Sequence, residues 1–412
     1  MYEKHQGLRL INSINRRCIR LEKRVVLALN LLIIIMIRSM SFFLPSLLII
    51  MLMLSCERND GSNEQNKAFD VHVFEDESLN TDYLTSSFDV VSIDDLDEGT
   101  TDFISGVYKI QYFDGKIFIL DRCDGKKISV YAEKDGAFLF NIGQSGDSPD
   151  SYNFPYDFYL DKKNGVCKVL TAGAILNFDL SDGSFLERES LNLAAVRFSE
   201  LNNGKWIFTL GVGEAHEVCL TDSKYQVINQ FLPRIKMHSL LPWESIIEVP
   251  TEDPIYMRNY DNTIYRITEN NELAPSIKIS FDGQKEIPLT EKEKITKPSE
   301  VLTEFQDKKL LRKSFFKLSE YMVFVYVEGK HYTVVVKNLK TDEVRFFDGL
   351  KTDKNNITFE ITFPSMIGID DKENLIAITR RNLKLDSDGN VYEDLNEDTN
   401  ESLKLIRFRP AF

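Results

Sequence analysis

The sequence predicts an all-β fold, a six-bladed β-propeller of antiparallel four-stranded blades, and three observations lead there. Short runs rich in β-branched and aromatic residues, such as Lys116-Ile117-Phe118-Ile119-Leu120, are broken at close intervals by Asp-Gly and Asn-Gly turns. The runs group into units that begin near residues 106, 153, 196, 243, 315 and 361; a period of about 40–50 residues with three or four strands per unit marks a propeller. The last unit holds only three strand-like runs before Phe412, while Phe88-Asp89-Val90-Val91-Ser92-Ile93 has strand composition ahead of the first unit. That N-terminal strand is expected to complete the last blade and close the ring, because closure removes exposed sheet edges.

Composition agrees with this class. At 412 residues the chain has room for several ordinary domains, but large all-β folds use this much sequence as one unit. Phe and Tyr are abundant, which favours strands. The net charge of −14 is unevenly spread: residues 1–56 carry eight Lys/Arg against two acids, leaving 42 basic and 62 acidic residues beyond them. So acidic a surface, with no Lys/Arg stripe, repels phosphate backbones and argues against nucleic acid as a partner.

Residues 1–55 read as a signal or leader segment. Arg38 and Pro45 divide its apolar part into blocks at 25–37 and 42–54, each shorter than the roughly 20 residues a membrane-spanning helix needs. The second block has the layout of a secretory signal: Arg38 as basic lead, an apolar core, then Ser55 before Cys56. Met53-Leu54-Ser55-Cys56 resembles a bacterial lipobox, with Met where Leu is usual, which implies that Cys56 is the lipid-attachment residue and the first residue after cleavage. Met36 or Met40 makes a more ordinary start for such a signal than Met1. The competing expectation keeps residues 25–54 as an uncleaved anchor interrupted by one charge. Residues 56–68 are almost free of apolar side chains and read as a flexible linker, with the propeller filling 69–412.

The units share one plan. In the first, Lys116–Leu120 is followed by alternation at Ile128 and Val130, a Lys134-Asp135-Gly136 turn, and alternation at Phe138, Phe140 and Ile142. The second runs from Phe154, Tyr156, Phe158 and Leu160 through a Lys163-Asn164-Gly165 turn, Val166 to Leu170, Ala174 to Leu180 and a Ser181-Asp182-Gly183 turn. The later units repeat the pattern at Trp206-Ile207-Phe208, Ile255-Tyr256-Met257, Tyr321 to Val327 and Leu375 to Thr379. One long gap, 286–311, holds Pro298-Ser299-Glu300 as a helix start and Val301, Phe305 and Leu310 on one side, a helical insertion between blades 4 and 5.

Residues 86–412 resemble the six-bladed propeller lipoproteins of Gram-negative gut anaerobes, a family of unassigned function related in architecture to NHL-repeat propellers. The resemblance rests on the 106–121 run, on Asp135-Gly136, on Asn141-Ile142-Gly143-Gln144-Ser145-Gly146-Asp147-Ser148-Pro149, and on the strand from Pro155 to Asp161. Asp147-Ser148-Pro149 departs from the Gly-x-Gly-Pro ending usual in the family. The resemblance implies fold and a cell-envelope location, with the outer membrane as the expected destination; it implies no activity.

Chemistry is sparse. Gly143 to Asp147 has neither P-loop nor nucleophile-elbow spacing and is expected to be an interblade turn. Asp386, Asp388, Asn390 and Glu397 stand at positions 1, 3, 5 and 12 of an EF-hand-like loop, a weak calcium candidate, because Val391 occupies the position that wants Gly. An exposed acidic hairpin is the plainer reading. His72, His216, His238 and His331 are scattered over different units, unlike the channel histidines of propeller lyases. Asp94/Asp95 and Asp370/Asp371 are expected in turns. Trp206 and Trp243 are expected in packing between blades. Cys123, Cys167 and Cys219 lack metal-ligand spacing and read as small core residues, with one disulfide as the alternative. No cofactor and no catalytic residue is assigned. The expected function is a membrane-tethered envelope lipoprotein whose loop-built face binds a protein or glycan ligand. The alternative is an envelope hydrolase or lyase acting on glycans or peptides with acids at the channel mouth; three or more carboxylates or histidines there within metal-binding distance would favour it, whereas a channel lined by hydrophobic and neutral polar groups would favour binding.

Overall fold

The computed structural model describes residues 69–73, 82–83, 88–97, 104–235, 246–249, 252–258, 261–281, 287–295, 297–329, 331–347, 350–351, 358–359, 366–380, 382–388, 390–394 and 402–412. Residues 1–68, expected to be leader, Cys56 and linker, and His238, Trp243 and Glu397 lie outside them.

Six small antiparallel sheets stand in a ring as a six-bladed β-propeller. Blade 1 is Val107–Phe113, Lys116–Asp121, Lys127–Ala132 and Phe138–Ile142, from the axis outward. Blade 2 is Asp157–Asp161, Val166–Thr171, Ala174–Asp179 and Phe185–Ser190; blade 3 is Ala195–Glu200, Trp206–Leu210, His216–Thr221 and Val227–Pro233. Blade 4 is Ile246–Ile247, Ile255–Met257, Thr263–Ile267 and Leu273–Phe281, and blade 5 is Lys309–Lys317, Tyr321–Glu328, His331–Asn338 and Val344–Phe347. Blade 6 is Met366–Ile369, Leu375–Thr379, Lys404–Pro410 and, from the other end of the chain, Phe88–Asp95.

The alternation seen in the sequence fills the spaces between blades. Successive side chains of a strand point to opposite faces, so in Lys116–Asp121 Phe118 and Leu120 enter the core shared with blade 2, while Ile117 and Ile119 enter the core shared with blade 6. Blade 5 repeats the division: Val323 and Val325 meet blade 6, whereas Met322, Phe324 and Tyr326 meet blade 4. Strands between two neighbours therefore carry long apolar runs that serve both faces, as in Ile117–Leu120 and Met322–Val327, and each fully buried Val, Leu, Ile or Phe contributes about 1.5–3 kcal/mol. Outer strands lose that cover, and Phe185–Ser190 and Val227–Pro233 are largely exposed. Trp206, expected between blades, is there: its ring stacks on Phe198 at 5.5 Å and meets Tyr159 of blade 2 edge-on at 5.2 Å.

Two turns show how the ring is laid down. Asp114 and Gly115 both have positive φ, 52° and 67°, the two-residue hairpin that joins right-twisted strands and that Asp-Gly supports. The Gly143 to Asp147 segment is the connection from blade 1 to blade 2. Gly143 has φ 61°, and a Cβ there would stand 2.6 Å from the Phe178 ring of blade 2. The Tyr152 hydroxyl donates to the Ile142 carbonyl at 2.6 Å and ties the loop down.

Closure takes the expected route. Phe88–Asp95 pairs antiparallel with Lys404–Pro410, from Phe88 opposite Pro410 to Asp95 opposite Lys404. Asp94 and Asp95, expected in a turn, instead end this strand. Their partner strand supplies the reason: Lys404 pairs with Asp95, and an Arg407 guanidinium nitrogen lies 3.7 Å from Asp94. Opposite charges across a sheet outweigh the turn preference of Asp.

Other departures are local. The insertion forms two short helices, Leu289–Lys292 and Pro298–Glu304, and Leu310, expected on a helix face, already belongs to the inner strand of blade 5. Val301, Phe305 and Leu310 nevertheless share one small core with Ile235, Ile287, Ile295 and Val327. The strand expected from Phe154 begins at Asp157. Phe69–Val73 adds a parallel fifth strand to the edge of blade 4, and Leu383–Leu385 with Val391–Glu393 forms a separate hairpin within blade 6. Cys167 and Cys219 are buried free thiols and Cys123 is an exposed one, so the described cysteines form no disulfide.

Phe88 is 1% exposed, with its ring edge-on to Phe408 and tilted against Phe347. Phe88→Ala is expected to cost about 3–5 kcal/mol of unfolding free energy, read from the urea midpoint. A loss below about 1 kcal/mol would show that the closing strand contributes little.

Candidate functional site

The inner strands of all six blades line a central channel with a cavity of about 330 Å³. Along Val107–Phe113, Ile110 and Tyr112 turn into the core against blade 6, which leaves Lys109 and Gln111 on the other side of the strand. Asp157 opens the inner strand of blade 2, Arg197 lies in that of blade 3, and Glu248 follows the two-residue inner strand of blade 4.

These residues form one charged network. Asp157, with 2% of its side chain exposed, accepts from the backbone N–H of Phe158 at 2.9 Å and of Phe198 at 3.1 Å. It also accepts from Arg197 Nη1 at 3.0 Å, and Lys109 Nζ lies 3.2 Å away. One carboxylate thus ties blades 1, 2 and 3 together. Lys109 Nζ donates to the Phe158 carbonyl at 2.7 Å and pairs with Glu248 at 2.9 Å, while Gln111 Nε2 donates to the other oxygen of Glu248. Blades 1 and 4 stand opposite in the ring, so the Lys109–Glu248 contact crosses the axis. Burial works against the Lys109 charge, but Asp157 and Glu248 outweigh it and hold the ammonium above its ordinary pKa. Arg197 is also buried, and Tyr108 and Asp157 raise its pKa.

Beside this network the Tyr108 ring carries two cations, with the Arg122 and Arg197 guanidinium carbons each 4.0 Å from its centroid. Arg122 also approaches the rings of Phe154 at 5.2 Å and Tyr156 at 5.9 Å. The channel lining thus brings Tyr108 together with Lys109, Arg197, Asp157 and Glu248, and Arg122 backs the Tyr108 ring from outside it. The channel lining also includes Lys162, Asp370 and Asp371, which lie at the opposite ends of inner strands.

The residues singled out from the sequence lie elsewhere. Asp386 accepts from the backbone N–H of Asp388 and Asn390, both at 2.9 Å, and from the Asn390 side-chain amide at 3.0 Å, and so shapes the turn of the blade 6 hairpin. Asp370 makes the same turn with Lys372 and Asn374. His72, His216 and His331 sit on separate sheets. Among the described residues no group of three or more His, Cys, Asp or Glu side chains is placed to hold a metal ion. Sequence reasoning missed Lys109, Gln111, Asp157, Arg197 and Glu248. The available signal was faint: Lys109 and Gln111 interrupt Val107–Phe113 at alternate positions, and Asp157 and Arg197 interrupt apolar strand starts.

Ring closure, interblade cores and a polar channel mouth define a β-propeller that presents a small site on its axis. The particular family follows from the sequence: residues 68–405 match the domain of unknown function DUF4934, and the chain belongs to that family. No curated protein matches the sequence. Among solved structures the chain is similar to a protein of Bacteroides fragilis named as exported, with 20% identity and a TM-score of 0.66 over 83% of this chain and 100% of that one. It is also similar to a DUF4221 family member of Bacteroides vulgatus, with 9% identity and a TM-score of 0.43 over 79% of this chain and 98% of that one. The extracellular domain of a one-component system of B. thetaiotaomicron gives 11% identity and a TM-score of 0.41 over 78% of this chain and 39% of that one.

Removing one partner of a buried ion network leaves the others unpaired. Asp157→Asn is therefore expected to destabilise the fold by about 3–5 kcal/mol in urea unfolding, and Lys162→Ala, at an exposed lysine, by under about 0.5 kcal/mol. Equal effects of the two would overturn the tie between three blades.

Proposed function

We propose that this protein is a lipid-anchored envelope propeller that binds a small polar ligand at the channel mouth formed by Tyr108, Lys109, Asp157, Arg197 and Glu248. The observation that carries the reading is the mouth itself: convergent charged and aromatic side chains around about 330 Å³, at the lower end of the range for small-molecule pockets. A space of that size suits a sugar unit or an amino acid better than a protein surface. The anchor rests on the lipobox-like run ending at Cys56, and the exported likeness in Bacteroides fragilis is in keeping with it.

A hydrolase or lyase draws less support. Asp157 and Glu248 are each held by cations, so neither stands ready to exchange a proton with a substrate without first losing a partner.

Two measurements test the reading. In cells fed an alkyne fatty acid, the wild-type chain is expected to take up label and Cys56→Ala to take up none; equal label in both would refute the anchor. In calorimetric titrations with a panel of monosaccharides, uronic acids and amino acids, at least one compound is expected to bind, and Tyr108→Ala is expected to weaken it about tenfold, a loss of about 1.4 kcal/mol. Unchanged affinity would move the site off this mouth.

A further inference from the structure

Glu248 is the least fixed member of the channel network. Some 39% of its side-chain surface is exposed, against 15% for Lys109, 6% for Arg197 and 2% for Asp157. Asp157 is pinned by two backbone N–H groups and by Arg197. Glu248 reaches across the axis from the opposite blade to Lys109 and Gln111 alone among the contacts described above. Of the two carboxylates, it is the one that can turn out into water at the smaller cost.

Its departure would change the balance of the mouth. Lys109 and Arg197 would face Asp157 only, leaving one positive charge uncompensated, with the Gln111 Nε2 donor open beside it. The other atom of that amide matters as well. Gln111 is 9% exposed, and its Oε1 is buried with no hydrogen-bond donor, since the amide nitrogen is the atom that must face a carboxylate. A buried acceptor without a donor is costly, and a ligand hydroxyl next to a carboxylate would supply the donor.

We infer that the mouth takes a small hydroxylated carboxylate of about the size of a uronic acid, and that the Glu248 carboxylate occupies the ligand carboxylate's place until it is displaced. The ligand's carboxylate pairs with Lys109 and accepts from Gln111 Nε2, and its neighbouring hydroxyl donates to Gln111 Oε1. Glu248 is then an internal competitor that keeps the site closed to weaker anions. This inference rests on the ligand-binding reading of the channel and narrows it to one chemistry.

The test is calorimetric titration of the full chain in detergent with D-glucuronate and, as its uncharged counterpart, D-glucose. Wild type is expected to bind glucuronate and not glucose. Glu248→Ala, which removes the competitor, is expected to bind glucuronate about tenfold more tightly, and Gln111→Leu about tenfold more weakly. Thermal melts establish that each variant is folded, and if Glu248→Ala is not, Glu248→Gln replaces it with the same expectation. Glu248→Ala binding no more tightly than wild type would overturn the inference. Glucose binding as well as glucuronate would overturn it too, while leaving ligand binding at the channel intact. Failure of both sugars, with another compound binding in a Tyr108-dependent manner, would likewise reject this chemistry and spare the broader reading.

Discussion

The structure depends on one pairing, Phe88–Asp95 against Lys404–Pro410. The four antiparallel strands of each of the other blades are adjacent in sequence and form by local hairpins, with Phe69–Val73 added in parallel at the edge of blade 4. Blade 6 alone joins segments separated by some three hundred residues, so its formation has the largest chain-entropy cost in the fold. Opposite charges mark the register, with Lys404 at Asp95 and Arg407 near Asp94, and the Phe88, Phe408 and Phe347 rings lock it. Without this pairing the strands Leu375–Thr379 and Lys404–Pro410 would leave an open edge, and the cores that blade 6 shares with blades 1 and 5 would lose one wall.

Closure also creates the site. Lys109, Asp157, Arg197 and Glu248 come from four blades and up to 139 positions of sequence, and they meet because a closed ring points every inner strand at one axis. An ion network of this kind contributes little net stability compared with well-packed apolar residues, yet removing one member is expensive. Its place at the axis, beside cores between blades that are apolar apart from polar pairs such as Glu217–Arg258, separates the part of the molecule that holds the ring from the channel.

The fold was legible because each blade repeats a physical demand. Ile117-Phe118-Ile119-Leu120 has to satisfy two neighbours, so it is apolar throughout, and Asp114-Gly115 has to turn with positive φ at both residues. Closure was legible by arithmetic, one strand short at one end and one spare at the other. The boundaries failed where tertiary contacts override composition. Phe154 and Tyr156 alternate like a strand but lie beside Arg122 at the mouth, and Asp94 and Asp95 look like a turn but pair with cations. The channel network was illegible for a different reason. No two of its blades contribute a motif; each contributes one or two polar residues whose spacing in sequence reflects blade length and nothing about chemistry. The visible clusters, at Asp386 to Asn390 and Asp370 to Asn374, turned out to use their carboxylates on their own backbones.

The charge of the chain bears on what can reach such a site. Beyond residue 56 acids outnumber bases by twenty, so anions approach against a repulsive field. At physiological ionic strength that field falls off over about 8 Å. An extended polyanion would lie along the acidic surface and feel it over its whole length. A small anion in the channel would meet Lys109 and Arg197 beside their partners Asp157 and Glu248 in a partly desolvated space, where each interaction is stronger than in bulk water. Under the ligand-binding reading proposed above, the acidic exterior and the axial Lys109 and Arg197 would act in the same direction, favouring small anions over large ones, by size and by the depth at which the charge is read.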